Sequence, residues 1–273
     1  MDILLYLLTG VVSGFLAGLL GIGGGLVIVP ALLYILPLAG YDPQTLMQTA
    51  VGSSLAVIVF TAVSSMHAHH RAGAVDWPTV WRVAPGIVLG ALIGAGLADW
   101  LSGDALRVIY LVFLLLVSAQ MLLDFRLAPA RASTAQGAGK TRSATERHSL
   151  AGVVIGAFSS LVGIGGGTLS VPYLLWRGRD VRVAVATSAA IGLPIALAGA
   201  LGFAMLGTGD TSGGARIGHI AWPAVLVIAP ASMLLAPLGA RQAHRWPRER
   251  LKRVFALLLL LIAVRIGWGL LTA

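Results

Sequence analysis

Four glycines in five positions interrupt the apolar sequence twice, at Gly21-Ile-Gly-Gly-Gly25 and at Gly163-Ile-Gly-Gly-Gly167. Each glycine costs about 1 kcal/mol relative to alanine inside a helix, so neither run favours an unbroken one. The two breaks lie in matching surroundings. Gly10 to Gly25 aligns with Gly152 to Gly167, and Pro30 and Pro172 stand at equal distances beyond. Ala50-Val-Gly-Ser-Ser54 matches Ala184-Val-Ala-Thr-Ser188, and Trp77-Pro78 with Ala84-Pro85 matches Trp222-Pro223 with Ala229-Pro230. Self-similarity of this kind marks a duplication. Residues 1–124 form the first copy, 150–273 the second, and 125–149, rich in Arg, Ala, Ser, Thr and Gly, link them.

The chain has too few charges to cover a surface in water. Only 11% of its 273 residues are charged and 58% are hydrophobic, whereas a soluble domain carries roughly 25% charged residues. Each copy holds a glycine-broken apolar pair and then three spans, at about 45–66, 78–99 and 105–124 and at about 183–207, 220–240 and 254–271. These approach the roughly 20 residues that cross a bilayer. The pair itself reads as a re-entrant hairpin or as two tilted spans. Its arms at 150–162 and 168–176 are too short, at 1.5 Å per residue, to cross roughly 30 Å separately, which favours the hairpin. The expected fold is an all-α polytopic membrane protein of eight to ten membrane segments. The first stretch opens Met-Asp-Ile without a basic leader and reads as a mature segment.

Either reading of the pair gives an odd number of crossings per half, so the second copy is expected upside down relative to the first. Charge supplies an independent test. With the linker on the cytoplasmic side, sixteen of the nineteen Lys and Arg fall inside, including Arg71, Arg82, Arg177, Arg179 and Arg182. Arg107 and Arg216 fall outside and Arg265 within a span. This is the positive-inside bias, and it assigns the net charge of +9 to topology rather than to nucleic acid. The resulting expectation is an inverted-topology repeat with both termini outside, an architecture of secondary transporters whose site lies near the midplane at broken helices.

At such a break, main-chain N–H groups lose their partners, and bare backbone in hydrocarbon is tolerated only where protein or a watery cavity receives it. The amides opening the next half-helix favour an anion, and glycine lets it approach without meeting a Cβ. Gly21, Gly23, Gly24 and Gly25, with Gly163, Gly165, Gly166 and Gly167, are therefore the expected binding elements. Ser53, Ser54, Thr187 and Ser188, hydroxyl pairs in the span after each break, are expected to donate to the bound oxyanion, although helical hydroxyls also bond back to their own carbonyls. Gln120 and Arg265 hold equivalent positions in the last spans and are the further pathway candidates; Arg265 has snorkelling as its alternative. Gly14-xxx-Gly18 and Gly90-xxx-Gly94 read as helix-packing contacts.

Other chemistries find no support in the residues. His67-Ala-His-His70 reads as a hydrated cationic loop rather than a metal site. With no cysteine, the chain can offer neither a thiolate nucleophile nor a thiolate-held metal. No carboxylate falls at mid-membrane depth, which argues for an anionic or neutral substrate. No nucleotide, metalloprotease or triad motif appears, so no enzyme, cofactor or metal is expected.

The doubled Gly-x-x-x-Gly-Leu-Leu-Gly-Ile-Gly-Gly-Gly-x-x-x-x-Pro signature, the Ala-Val-x-Ser/Thr-Ser after each copy and the basic linker resemble the TauE/SafE sulfite exporter family, also called the 4-toluenesulfonate uptake permease family. The likeness covers nearly the full chain. It implies a prokaryotic plasma-membrane carrier that moves a small sulfur-containing oxyanion, sulfite or an organosulfonate, most simply as an exporter. The alternatives are an anion channel or an importer of another sulfur compound such as thiosulfate. The family motifs fall on Gly21 to Gly25 with Pro30, on Gly163 to Gly167 with Pro172, and on the two hydroxyl pairs, with Ser53 where Thr is expected. The partners implied are the anion and the lipid bilayer; coupling ion and oligomeric state are left open.

Overall fold

The structure is a computed structural model that describes residues 2–20, 24–122, 141–207, 215–243 and 248–271. It is almost wholly helical. The first half contains α1 (Asp2–Leu20), α2 (Gly25–Leu38), a 3₁₀ turn (Pro43–Thr45), α3 (Leu46–Arg71), α4 (Trp77–Trp100) and α5 (Gly103–Leu122). The second contains α6 (Thr141–Val162), α7 (Gly167–Trp176), α8 (Val181–Leu206), α9 (Trp222–Ala243) and α10 (Arg248–Leu271). A two-stranded hairpin, β1 (Arg216–Ile217) and β2 (Ile220–Ala221), lies between α8 and α9. Six of the helices are long and apolar enough to cross a membrane, and they coincide with the six spans read from the sequence.

Acidic side chains sit where helices begin. Asp76 caps α4 and Asp180 caps α8, its carboxylate accepting from the Arg182 amide at 3.0 Å. Each cap satisfies an amide that has no carbonyl a turn behind it. Two boundaries depart from the sequence reading. α6 begins at Thr141, inside the segment assigned to the linker, so the arm before the second break is 22 residues long. At 1.5 Å per residue that is roughly 33 Å, enough to cross, and its partner α7 at 10 residues is the short arm. α3 runs on to Arg71 and ends at Gly73, whose φ of 64° suits a chain reversal. His67 to His70 are therefore its last helical turns, not a loop.

The halves exchange partners reciprocally. α1 packs along α9 and α6 along α4, so each half lends its first helix to the fourth helix of the other. Glycine sets the distance in both places. A Cβ on Gly86, Gly90 or Gly94 would meet the main chain of Ser149, Val153 or Ala157, and one on Gly14 would meet that of Ser232. These are small-residue interfaces, where backbones approach closely. α3 and α8 cross at the centre. Gly52 meets Phe203 while Leu55 meets Gly199, so these two matching helices run in opposite directions along their contact. α5 and α10 do the same: Ser118 donates to the Ala256 carbonyl at 2.9 Å, and Leu111 lies against Gly267.

Candidate functional site

The two glycine breaks come together. The space beside Gly25, the first residue of α2, is filled by the Gly163 carbonyl and by Ile164. Gly24, ahead of it, has a φ of 70° and its carbonyl accepts from the Val27 and Ile28 amides. Gly21 and Gly23 lie outside the described residues.

The second break shows how the chain is interrupted. α6 ends with Gly163 at φ 74°, the Gly163 amide bonding to the Ser160 carbonyl and the Ile164 amide to that of Ser159. This paired arrangement closes a helix through a left-handed residue, which glycine adopts without strain. Gly165 and Gly166 then turn the chain, and Gly167 opens α7. A Cβ on Gly166 would meet the Ser188 carbonyl and the Gly192 main chain of α8, so only glycine lets the break lie flat on that helix.

Beside the break lies a cavity of about 410 Å³. Gly165, Gly166, Gly167 and Ser188 form one side of it, and Thr61, Ser64, Ser65 and His69 of α3 form another. Gly18 of α1, Gly192 of α8 and Ser232 of α9 contribute further. The opening amides of α7 thus face a space of a size suited to a small ligand, where they have no intrahelical partners. The cavity occupies the half of the molecule that carries the 72–76 turn, since its α3 residues come from the end of that helix and its α8 residues from the beginning.

The four candidate hydroxyls divide. Ser188 lines the cavity while donating to the Val185 carbonyl at 2.9 Å. Ser54 is buried and donates to the Gly163 carbonyl at 2.9 Å, fixing the break of the other half. Ser53 and Thr187 instead accept from main-chain amides, of Ala221 at 2.8 Å and Asp76 at 3.0 Å. Both receiving positions stand immediately before a Trp-Pro that opens α9 or α4, so the bonds are counterparts in the two halves. These hydroxyls tie helices to one another and do not line the cavity.

Gln120 and Arg265 are not brought to it either. Both side chains are exposed, on α5 and α10, and the Arg265 guanidinium lies 5.3 Å from the ring centre of Tyr34, a cation–π contact. The residues that sequence reasoning missed are Gly192 and the stripe Thr61, Ser65 and His69. Counted from Ser54, the stripe falls at steps of seven, eleven and fifteen, one face of a helix, and that spacing was the available signal.

Opposite the cavity, the molecule is closed by the hairpin. His219 is buried, its amide donating to the Phe203 carbonyl and its Nε2 lying 2.9 Å from Asp99 Oδ1; Arg216 donates to Thr45 Oγ1 at 3.2 Å.

A multi-pass helical protein with broken helices facing an internal cavity belongs to the transporter class of membrane architectures. The family model for the sulfite exporter TauE/SafE matches residues 6–266. The chain belongs to that family. It is 37% identical over 264 residues to a probable membrane transporter protein of Haemophilus influenzae, covering 96% of this chain and 97% of the relative. It is 26% identical to the probable membrane transporter protein YunE of Bacillus subtilis, over 97% of both chains. A probable membrane transporter protein of Xylella fastidiosa is 29% identical over 95% of this chain and 93% of its own. No solved structure matches.

Proposed function

We propose that this membrane transporter moves a small sulfur-containing oxyanion, sulfite or an organosulfonate, outward across the prokaryotic plasma membrane by alternating access. The observation that carries the reading is the triple-glycine start of α7 facing the 410 Å³ cavity beside Ser188. A helix start with no Cβ in the way favours an anion, and charge-assisted N–H bonds offset part of its dehydration.

The family supplies the substrate class, and the charge distribution supplies the orientation. Arg71, Arg177, Arg179 and Arg182 stand at the cavity's end of the molecule, together with the Arg-rich linker. The positive-inside rule makes that end cytoplasmic, with both termini outside and the second half inverted relative to the first. The antiparallel course of α3 against α8 and of α5 against α10 supports this inversion. On this orientation the cavity faces inward, ready to load cargo for export. Closure of the opposite end by the hairpin favours a carrier over an open channel.

The test is flux into proteoliposomes by a panel of sulfite, sulfate, thiosulfate and small organosulfonates, with Gly166→Leu as the diagnostic variant. A Leu side chain there enters the Ser188 and Gly192 backbone and the mouth of α7. Sulfite flux is expected to fall by about 100-fold or more with membrane insertion retained. Unchanged flux places the site elsewhere.

A further inference from the structure

We propose that His69 is the charge-bearing ligand of the cavity, binding the oxyanion together with a proton, so that transport is proton-linked. This rests on the cavity being the anion site. Four observations meet at this residue.

Among the described residues, His69 is the one titratable side chain that lines the cavity; the other walls are apolar side chains, glycine and hydroxyls. It lies on the same face of α3 as Ser65 and Thr61, one turn from each to the next, so a single helix presents two hydroxyls and an imidazole to the same space. It is half-buried, and no described carboxylate pairs with it. Its neighbour His70 is engaged elsewhere, its Nδ1 accepting from the Trp77 indole at 3.1 Å.

The walls contributed by α1, α7, α8 and α9 add no titratable group among the described residues. The charges nearest in the chain fold are off that wall: Arg71 at the end of α3, and Asp76, which pairs with Arg179 across the 72–76 and 177–180 turns at 2.6 Å. A protonated imidazole in the empty cavity therefore has no counter-charge, and an oxyanion arriving at the start of α7 provides one. Each then raises the affinity of the other, by a coupling that is reciprocal. The helix start contributes fixed partial charge only, whereas histidine contributes a charge that appears and disappears near neutral pH. That property suits a carrier that must hold its anion in one state and release it in another.

The experiment uses the full-length protein in proteoliposomes, with thiosulfate as probe because its charge is constant near neutral pH, and a trapped pH dye to read protons. In the wild type, thiosulfate flux should fall by about ten-fold between roughly pH 6 and pH 8, with protons moving alongside the anion. His69→Gln should lower flux at the acidic end to the level seen at the alkaline end, with proton movement lost. His69→Lys, a fixed cation, should hold flux high and flat across the range and likewise move no protons. Wild-type pH dependence and proton movement persisting in both variants overturns the proposal. A wild type with flat flux and no proton movement overturns it too, while the anion site itself still stands if Gly166→Leu abolishes that flux. Flux indifferent to Gly166→Leu removes the anion site and this proposal together, as does a wild type that moves neither thiosulfate nor sulfite.

Discussion

The two ends of the α3–α8 crossing are made from matching sequence and are in opposite states. At one end the last turns of α3 and the first of α8 stand apart around the cavity, joined only by a short turn over residues 72–76. At the other, Leu55 packs on Gly199 and Gly52 on Phe203, and the segment 207–221, three times as long, folds the hairpin over the junction. Both ends keep the same hydroxyl-to-amide tie, Thr187 to Asp76 and Ser53 to Ala221. Duplication therefore fixed the hinges alike, while the unequal connections decide which end is open. A rocking carrier needs this combination: common pivots and one closed face at a time.

The largest effect is expected at the open end. Gly192 faces the Gly166 amide, 3.4 Å from where a Cβ would stand. Gly192→Leu pushes a side chain into the seam between α8 and the start of α7. Anion flux should drop by about 100-fold, because displacing a binding group by 1 Å already costs that much. An equivalent loss from Leu at Gly96, which has open space beside it, would show that bulk alone and not the break is responsible.

Next come the pivots. Removing the hydroxyl from Ser53 or Thr187 leaves a buried amide unsatisfied, which costs about 1–3 kcal/mol. Ser53→Ala and Thr187→Ala should lower thermal stability in detergent by similar amounts. A large flux defect in only one of them, at matched stability, would return that hydroxyl to the pathway and break the equivalence of the two ends.

A smaller effect separates the closures. The hairpin is held by His219 on Asp99 and Arg216 on Thr45. Cutting a pair of this kind is worth about 1 kcal/mol, or roughly five-fold in the balance between open and closed. The chain has no cysteine, so a single one reports accessibility directly. In an Ala98→Cys background, where the site is fully buried beneath this end, Asp99→Asn should raise labelling by that factor. Ser188→Cys at the opposite end should be labelled readily without it.

How much of this the sequence carried depends on how far each interaction reaches along the chain. The spans, the duplication and the breaks are local: apolar length, repeated glycine and Trp-Pro show them directly. Gly90 and Gly94 were readable as packing because small-xxx-small spacing is itself a surface property of one helix. Ser53 was not readable as a tie, since its partner is Ala221, 168 residues away. The same holds for Ser54, whose acceptor is Gly163. His69 was missed for a different reason. The loop assigned to His67–His70 ended α3 too early, although nothing before Gly73 stops the helix, and with the helix shortened the polar stripe below Ser54 disappeared.

The smallest predicted effect concerns Arg265. An arginine in a span points to a pathway when it faces the interior, but this one is exposed and rests on Tyr34 of α2. An exposed cation–π contact is worth about 0.5–1 kcal/mol. Arg265→Gln should therefore shift thermal stability by no more than that and leave anion flux, its saturation and its pH profile at wild-type values. Tyr34→Leu should cost a similar amount, and the double variant no more than the larger single, because the two share one contact. If Arg265→Gln alone abolished flux while Tyr34→Leu did not, the charge would be acting on the anion, and the open end around the second break would cease to be the whole of the binding surface.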